Sequence, residues 1–207
     1  MYLDEERREA IAELVNIGFG RAVASIAEVL HTRLDMSIPE VRSIEPPKVI
    51  GLLRESLGHD GEVSLIQQAF YGDFLGEAVL AFPRESSREL AGMLSEDWGF
   101  QPEMGVETFE QEALLEIGNL VIGASLGQFA ELLQTRVSFK PPQVYSETLE
   151  SGRFQQEVSD HTGTVLMVQT HFQVAQRQIF GYLFFLLSTR CHDWLFQEID
   201  NFLERLG

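Results

Sequence analysis

Glu13, Asn16 and Pro39 recur as Glu116, Asn119 and Pro142, each displaced by 103 residues in a chain of 207. A pattern that returns at half the chain length points to two similar units of about one hundred residues each. Two copies are too few for a solenoid. The expected architecture is a single pseudo-twofold domain, with repeats at about 1–103 and 104–207.

The order of predicted elements supports that expectation. Residues 4 to about 31 have apolar positions at helical spacing, with Asp4 as N-cap, and a second helix runs from about Thr108 to Leu133. Both carry internal glycines, which cost about 1 kcal/mol each relative to alanine in a helix. Close approach of another backbone is the usual compensation at Gly18 and Gly20, and Gly123 with Gly127 has the spacing of a helix-packing signal. A short strand before Pro47 follows the first helix, and another before Pro141-Pro142 follows the second. Residues 48–60 read as a strand or short helix ending in Gly58-His59-Asp60-Gly61. Glu62–Phe70 and Gly76–Phe82 form a hairpin, and Ser86–Leu94 a serine-capped helix. Glu96–Gly105 reads as a connecting loop. Strands at Thr164–Arg177 and Gln178–Ser188 and a closing helix from His192 to Leu206 complete the second half. The fold class is α+β: a largely antiparallel sheet with two long motif-bearing helices packed on it.

Composition excludes several functions. With 32 acidic against 15 basic residues the net charge is −17, which repels a phosphate backbone and argues against nucleic-acid binding. A partner with a basic face is the electrostatic complement. One cysteine, Cys191, rules out an internal disulfide and suits a reducing compartment. The N-terminus has no signal-peptide pattern, and the most apolar run, Ile179–Leu187, is too short to span a bilayer. A cytoplasmic protein without membrane insertion is expected. The five histidines show no ligand spacing, and Gly18-Phe19-Gly20 lies inside a predicted helix without the strand that a dinucleotide fingerprint requires.

Residues three apart on a helix lie about 60° apart and about 4.5 Å along the axis, so each glutamate projects beside its asparagine. Glu9 and Glu112 extend each stripe by a turn. The pair supplies a charged acceptor and an amide that both donates and accepts, with no nucleophile. That combination suits positioning: the carboxylate anchors a cation while the amide orients water. Exposed Glu and Asn three apart are common by chance. Duplication of a backbone explains retained glycines and prolines, but not an exposed amide kept in both halves.

Glu-x-x-Asn followed after twenty-two residues by Pro, twice in a chain of this length, resembles the CheC family of chemotaxis phosphatases. Glu116-Ile-Gly-Asn119 followed by Gly123-Ala124-Ser125 is close to the family wording, and Glu13-Leu-Val-Asn16 is a looser copy. The family usually has Asp or Ser where this chain has Glu9 and Glu112. The resemblance implies hydrolysis of the aspartyl phosphate on a CheY-like receiver domain of a response regulator. In that scheme Glu13 and Glu116 dock the receiver's lysine, while Asn16 and Asn119 align the attacking water. The protein needs no cofactor of its own, because Mg2+ is held by the receiver. A CheD-like deamidase is a second partner that the resemblance suggests. The alternative is a non-catalytic interaction module like that of the flagellar switch protein FliM, which the two intact pairs disfavour.

Overall fold

The computed structural model describes residues 3–29, 31–58, 61–97, 105–149, 152–159, 164–175 and 177–206. In chain order the first half gives α1 (Glu5–Val29), β1 (Leu34–Met36), β2 (Glu40–Ile44), α2 (Pro46–Leu57), β3 (Glu62–Gly72), β4 (Gly76–Pro83) and α3 (Arg84–Asp97). The second gives α4 (Val106–Leu132), β5 (Val137–Phe139), β6 (Gln143–Thr148), α5 (Arg153–Ser159), β7 (Val165–Val174), β8 (Phe180–Ser188) and α6 (His192–Leu206). The same sequence of elements appears in both halves.

All eight strands join one antiparallel sheet with the path β1-β7-β8-β4-β3-β5; β2 also pairs with β7 and β6 with β3. Each half therefore supplies a broken edge strand to the other half's hairpin. At the centre β4 and β8 pair antiparallel, with Val79 opposite Phe184. Those two residues hold matching places in the segments Gly76–Phe82 and Gly181–Leu187. This is the register that a twofold relation would give.

Side chains alternate between two apolar layers because successive strand residues face opposite sides. Ile66, Leu80, Phe82, Val168, Leu183 and Phe185 meet α1, α3, α4 and α6, while Leu65, Val79, Met167 and Phe184 meet α2 and α5. With helices on both faces, the inner strands are buried along most of their length. Helices α1 and α4 are each long and apolar enough to cross a membrane by length and composition, contrary to the short apolar run singled out from the sequence. Their apolar sides pack instead on the sheet and on one another.

The structure corrects several local expectations. The stretch before Pro47 is two strands, since Pro39 lacks the N–H that would continue the ladder. Of the two readings of the segment beyond it, the helix is the one that forms: α2, entered through Pro46 and closed by Gly58 at φ 73°. In the second half β6 and α5 were not anticipated. α3 begins at Arg84, so Ser86 and Ser87 lie within the helix and do not cap it. The Ser87 hydroxyl donates to the Arg84 carbonyl at 2.9 Å. Asp4 does cap α1, accepting from the Arg7 backbone N–H at 3.0 Å. His59 and Asp60, and residues 98–104 of the expected loop, lie outside the described residues.

Candidate functional site

All four predicted site residues lie on α1 and α4. Glu13, Glu116 and Asn119 are exposed and Asn16 is half-buried. Among the described residues, none gives any of these four side chains a hydrogen bond or an ion pair. The opposite sides of the helices are apolar and closed, with Ala10, Ile11, Leu14 and Val15 buried on α1 and Ala113, Leu114, Ile117 and Val121 on α4. The polar stripe is thus the side that each helix turns away from the core.

The glycines divide into two kinds. A Cβ added at Gly18 would come 2.7 Å from the Ser125 carbonyl oxygen of α4, and one at Gly118 would come 2.4 Å from Cγ2 of Ile66 on β3. These two admit close packing inside the protein. Gly20, Gly123 and Gly127 have no atom within 4 Å of such a Cβ. Gly20 therefore has no close backbone neighbour, and Gly123-x-x-x-Gly127 is not an internal packing seam. Gly20 and Gly123 occupy the same place, four residues after Asn16 and Asn119. Each stripe accordingly reads Glu, Glu, Asn, Gly in the same order: Glu9, Glu13, Asn16, Gly20 on α1 and Glu112, Glu116, Asn119, Gly123 on α4. Such a surface offers charge, an amide and a smooth patch, and lets a partner's backbone come close.

A groove runs beside the first stripe. It lies between α1 and β2, lined by Arg8, Glu9, Ala12, Pro39 and Val41. A second groove, between α4 and β6, is lined by Arg84, Glu107, Glu110, Gln111, Leu114 and Tyr145 and includes no residue of the second stripe. In the first groove Pro39 stands opposite the helix that carries the pair, which gives that proline a place beside the stripe.

Other sequence candidates have structural roles. The Cys191 thiol is buried, accepts from the Leu75 backbone N–H at 3.2 Å, and has its pKa pushed up by burial. His171 is half-buried beside Tyr182, with ring centroids 5.0 Å apart, and desolvation lowers its pKa. Among the described residues no group of three or more His, Cys, Asp or Glu could hold a metal ion. Sequence reasoning missed Ile17, an exposed isoleucine beside Asn16 whose counterpart Leu120 is half-buried. Apolar character at the fourth residue after each motif glutamate was the available signal.

The fold and stripe together define a two-faced α+β domain that presents paired, solvent-facing polar helices. The family model for the chemotaxis phosphatase CheX matches residues 65–163. The chain is 24% identical over 190 residues to the CheY-P phosphatase CheC of Bacillus subtilis, covering 86% of this chain and 88% of that protein. Among solved structures, FliY of Thermotoga maritima superposes with a TM-score of 0.76 at 18% identity, over 97% of this chain and 99% of that one. The FliM middle domain of H. pylori superposes with a TM-score of 0.58 at 8% identity, over 95% and 99%. These matches show a chain similar to the CheY-P phosphatases CheC, CheX and FliY, with their fold.

Proposed function

We propose that the chain hydrolyses the aspartyl phosphate of a CheY-like receiver domain, using two sites, Glu13/Asn16 and Glu116/Asn119. The observation that carries this reading is the twice-presented stripe of Glu, Glu, Asn and open Gly, turned from the core and with no hydrogen-bond or ion-pair partner for its motif pairs among the described residues, in a chain similar to these phosphatases. An internal structural role would require partners for these side chains.

Phosphoryl transfer asks chiefly for positioning and charge stabilisation. A carboxylate at Glu13 or Glu116 presents an acceptor to the receiver's active-site lysine and sets the approach of the helix. Asn16 or Asn119, one turn further on, can accept a hydrogen from water through its carbonyl or donate through its amide. Held against the phosphoryl group, it aligns water for in-line attack. The water attacks phosphorus, the bond from phosphorus to the aspartyl oxygen breaks, and inorganic phosphate leaves with the carboxylate restored. Mg2+ is the receiver's. Open Gly20 and Gly123 allow the two backbones to approach.

The excess of acid over base, −17 overall, favours a partner with a basic docking face. A CheD-like deamidase remains a second candidate partner on the resemblance alone. The FliM-like module is favoured by one observation, the superposition on a FliM middle domain, but at 8% identity that likeness concerns the fold.

The test is decay of a phosphorylated receiver domain in Mg2+ with the parent, Asn16→Ala, Asn119→Ala and the double variant. Each single change is expected to lower the rate, and the double change to abolish the acceleration, on the order of 10²-fold or more. Asn119→Ala is expected to cost more, since Asn119 is the more exposed amide. A double variant as active as the parent would overturn the assignment. A parent that binds the receiver without accelerating decay would favour the interaction module.

A further inference from the structure

The motif helices are held by unlike devices at matching positions. Arg7 lies six residues before Glu13, and Glu110 lies six residues before Glu116. Six residues turn a helix about 120° away and move about 9 Å along it. Both groups therefore sit on the inward side, near the N-terminal end, out of reach of a partner on the stripe. Arg7 donates to both carboxylate oxygens of Asp200 on α6, at 2.9 and 2.8 Å, and its guanidinium lies 5.6 Å from the centre of the Phe196 ring. The bond to Asp200 raises the Arg7 pKa further. Glu110 pairs with Arg84 at the start of α3 and accepts from the Ser87 hydroxyl at 3.1 Å. Ser64 of β3 joins this cluster, 2.8 Å from Ser87 and 3.2 Å from Arg84.

The charges are reversed between the halves, and the connections cross them: α1 is tied to the last helix of the second half, α4 to the last helix of the first. We propose that Arg7–Asp200 and Glu110–Arg84 are latches that position the two motif helices separately, so that each pair governs one site. The inference rests on the proposed function for its catalytic readout. The bidentate Arg7–Asp200 pair fixes orientation as well as distance, the Arg84–Glu110 pair is braced by the Ser87 and Ser64 hydroxyls, and a misplacement of about 1 Å at a positioning group can cost on the order of 10²-fold. Neither pair lies on a stripe. Arg7, Asp200, Arg84 and Glu110 are positioning residues.

The experiment uses full-length proteins with one site left, Asn119→Ala (first site) and Asn16→Ala (second site). Asp200→Asn is expected to lower kcat/KM for the phosphorylated receiver roughly tenfold in the first and by less than about twofold in the second. Glu110→Gln is expected to do the reverse. The charge-exchanged doubles, Arg7→Asp with Asp200→Arg and Arg84→Glu with Glu110→Arg, should recover much of each loss, which separates pairing from a packing defect. Amide hydrogen exchange gives a readout independent of activity. Asp200→Asn should speed exchange in the first turns of α1 alone, and Glu110→Gln in those of α4 alone. Equal losses in both backgrounds, or exchange that rises in both helices together, would overturn the latches. If no single-site protein or parent accelerates decay, the proposed activity falls, and the exchange pattern alone decides whether the latches are separate.

Discussion

The two halves present the same stripe from different footings. On α1 the supporting pair is open: the Arg7 side chain is 17% exposed and that of Asp200 31%. On α4 it is closed: Arg84 is 15% exposed, Glu110 5%, and two serine hydroxyls complete the cluster. Nothing in the stripe itself differs so much. Two halves with one order of elements can keep the same outward stripe while the means of holding it differs, because an inward pair needs only its own complement. The consequence is energetic. A buried charge whose partner is removed bears its desolvation cost alone, whereas a partly solvated one recruits water.

The largest expected effect follows from that contrast. Glu110→Ala leaves the Arg84 guanidinium without its buried carboxylate, with only the exposed Glu62 carboxylate 3.8 Å away, and should destabilise by about 3 kcal/mol. Asp200→Ala leaves Arg7 beside water and Asp4, with which it also pairs at 2.6 Å, and should cost about 1 kcal/mol. Urea denaturation of the two variants measures the difference. Equal losses would mean that the footings are alike in energy despite their unlike burial.

The glycines give the next test. Gly18→Ala drives a Cβ to 2.7 Å from the Ser125 carbonyl oxygen, a backbone atom that cannot turn aside, and should destabilise by about 1–3 kcal/mol through overpacking. Gly20→Ala and Gly123→Ala meet open space and should each stabilise by about 0.5–1 kcal/mol through helix propensity. On the proposed function these two should also lower phosphatase activity, because the added methyl stands on the docking surface. Stability rising while activity falls is the signature to look for in denaturation and receiver-decay assays. A gain in stability with unchanged activity would remove Gly20 and Gly123 from the docking surface and leave the motif pairs untouched.

Much of this was legible in the sequence because helical periodicity and a 103-residue offset are one-dimensional signals. The extents of α1 and α4, their exposed pairs, the central hairpins and the antiparallel sheet all follow from spacing. What failed to show was decided in three dimensions. Gly18 and Gly20 look alike in the chain, yet one faces Ser125 and the other solvent. Ser86 and Ser87 precede an apolar run as caps do, but Arg84 starts the helix earlier, and there its guanidinium also meets Glu110. Arg7 and Glu110 carry opposite charges, so comparing the repeats by residue type hides that they hold equivalent places. The strand β6 is paired along β3 and is only half-covered, which weakened its apolar alternation.

The smallest effect concerns how the two helices end, and it sharpens the comparison from the side where the halves agree. His31 and Gln134 are the two non-glycine residues with positive φ among those described, at 47° and 57°, and they occupy equivalent positions just past α1 and α4. In both places the next residue closes the helix with a bond five residues back: Thr32 N–H to the Ala27 carbonyl at 3.0 Å, and Thr135 N–H to the Ala130 carbonyl at 2.9 Å. This is the Schellman arrangement, in which glycine is the preferred residue because a Cβ is strained there. His31→Gly and Gln134→Gly should each stabilise by about 0.5–1 kcal/mol, with the gain reduced by the greater freedom of glycine in the unfolded chain. Both side chains are exposed, so no packing is lost. Urea midpoints should rise by similar amounts with unchanged slopes. Similar gains would show two equivalent helix ends, leaving the difference between the halves at the latches; a gain at one end alone would extend that difference along the whole helix.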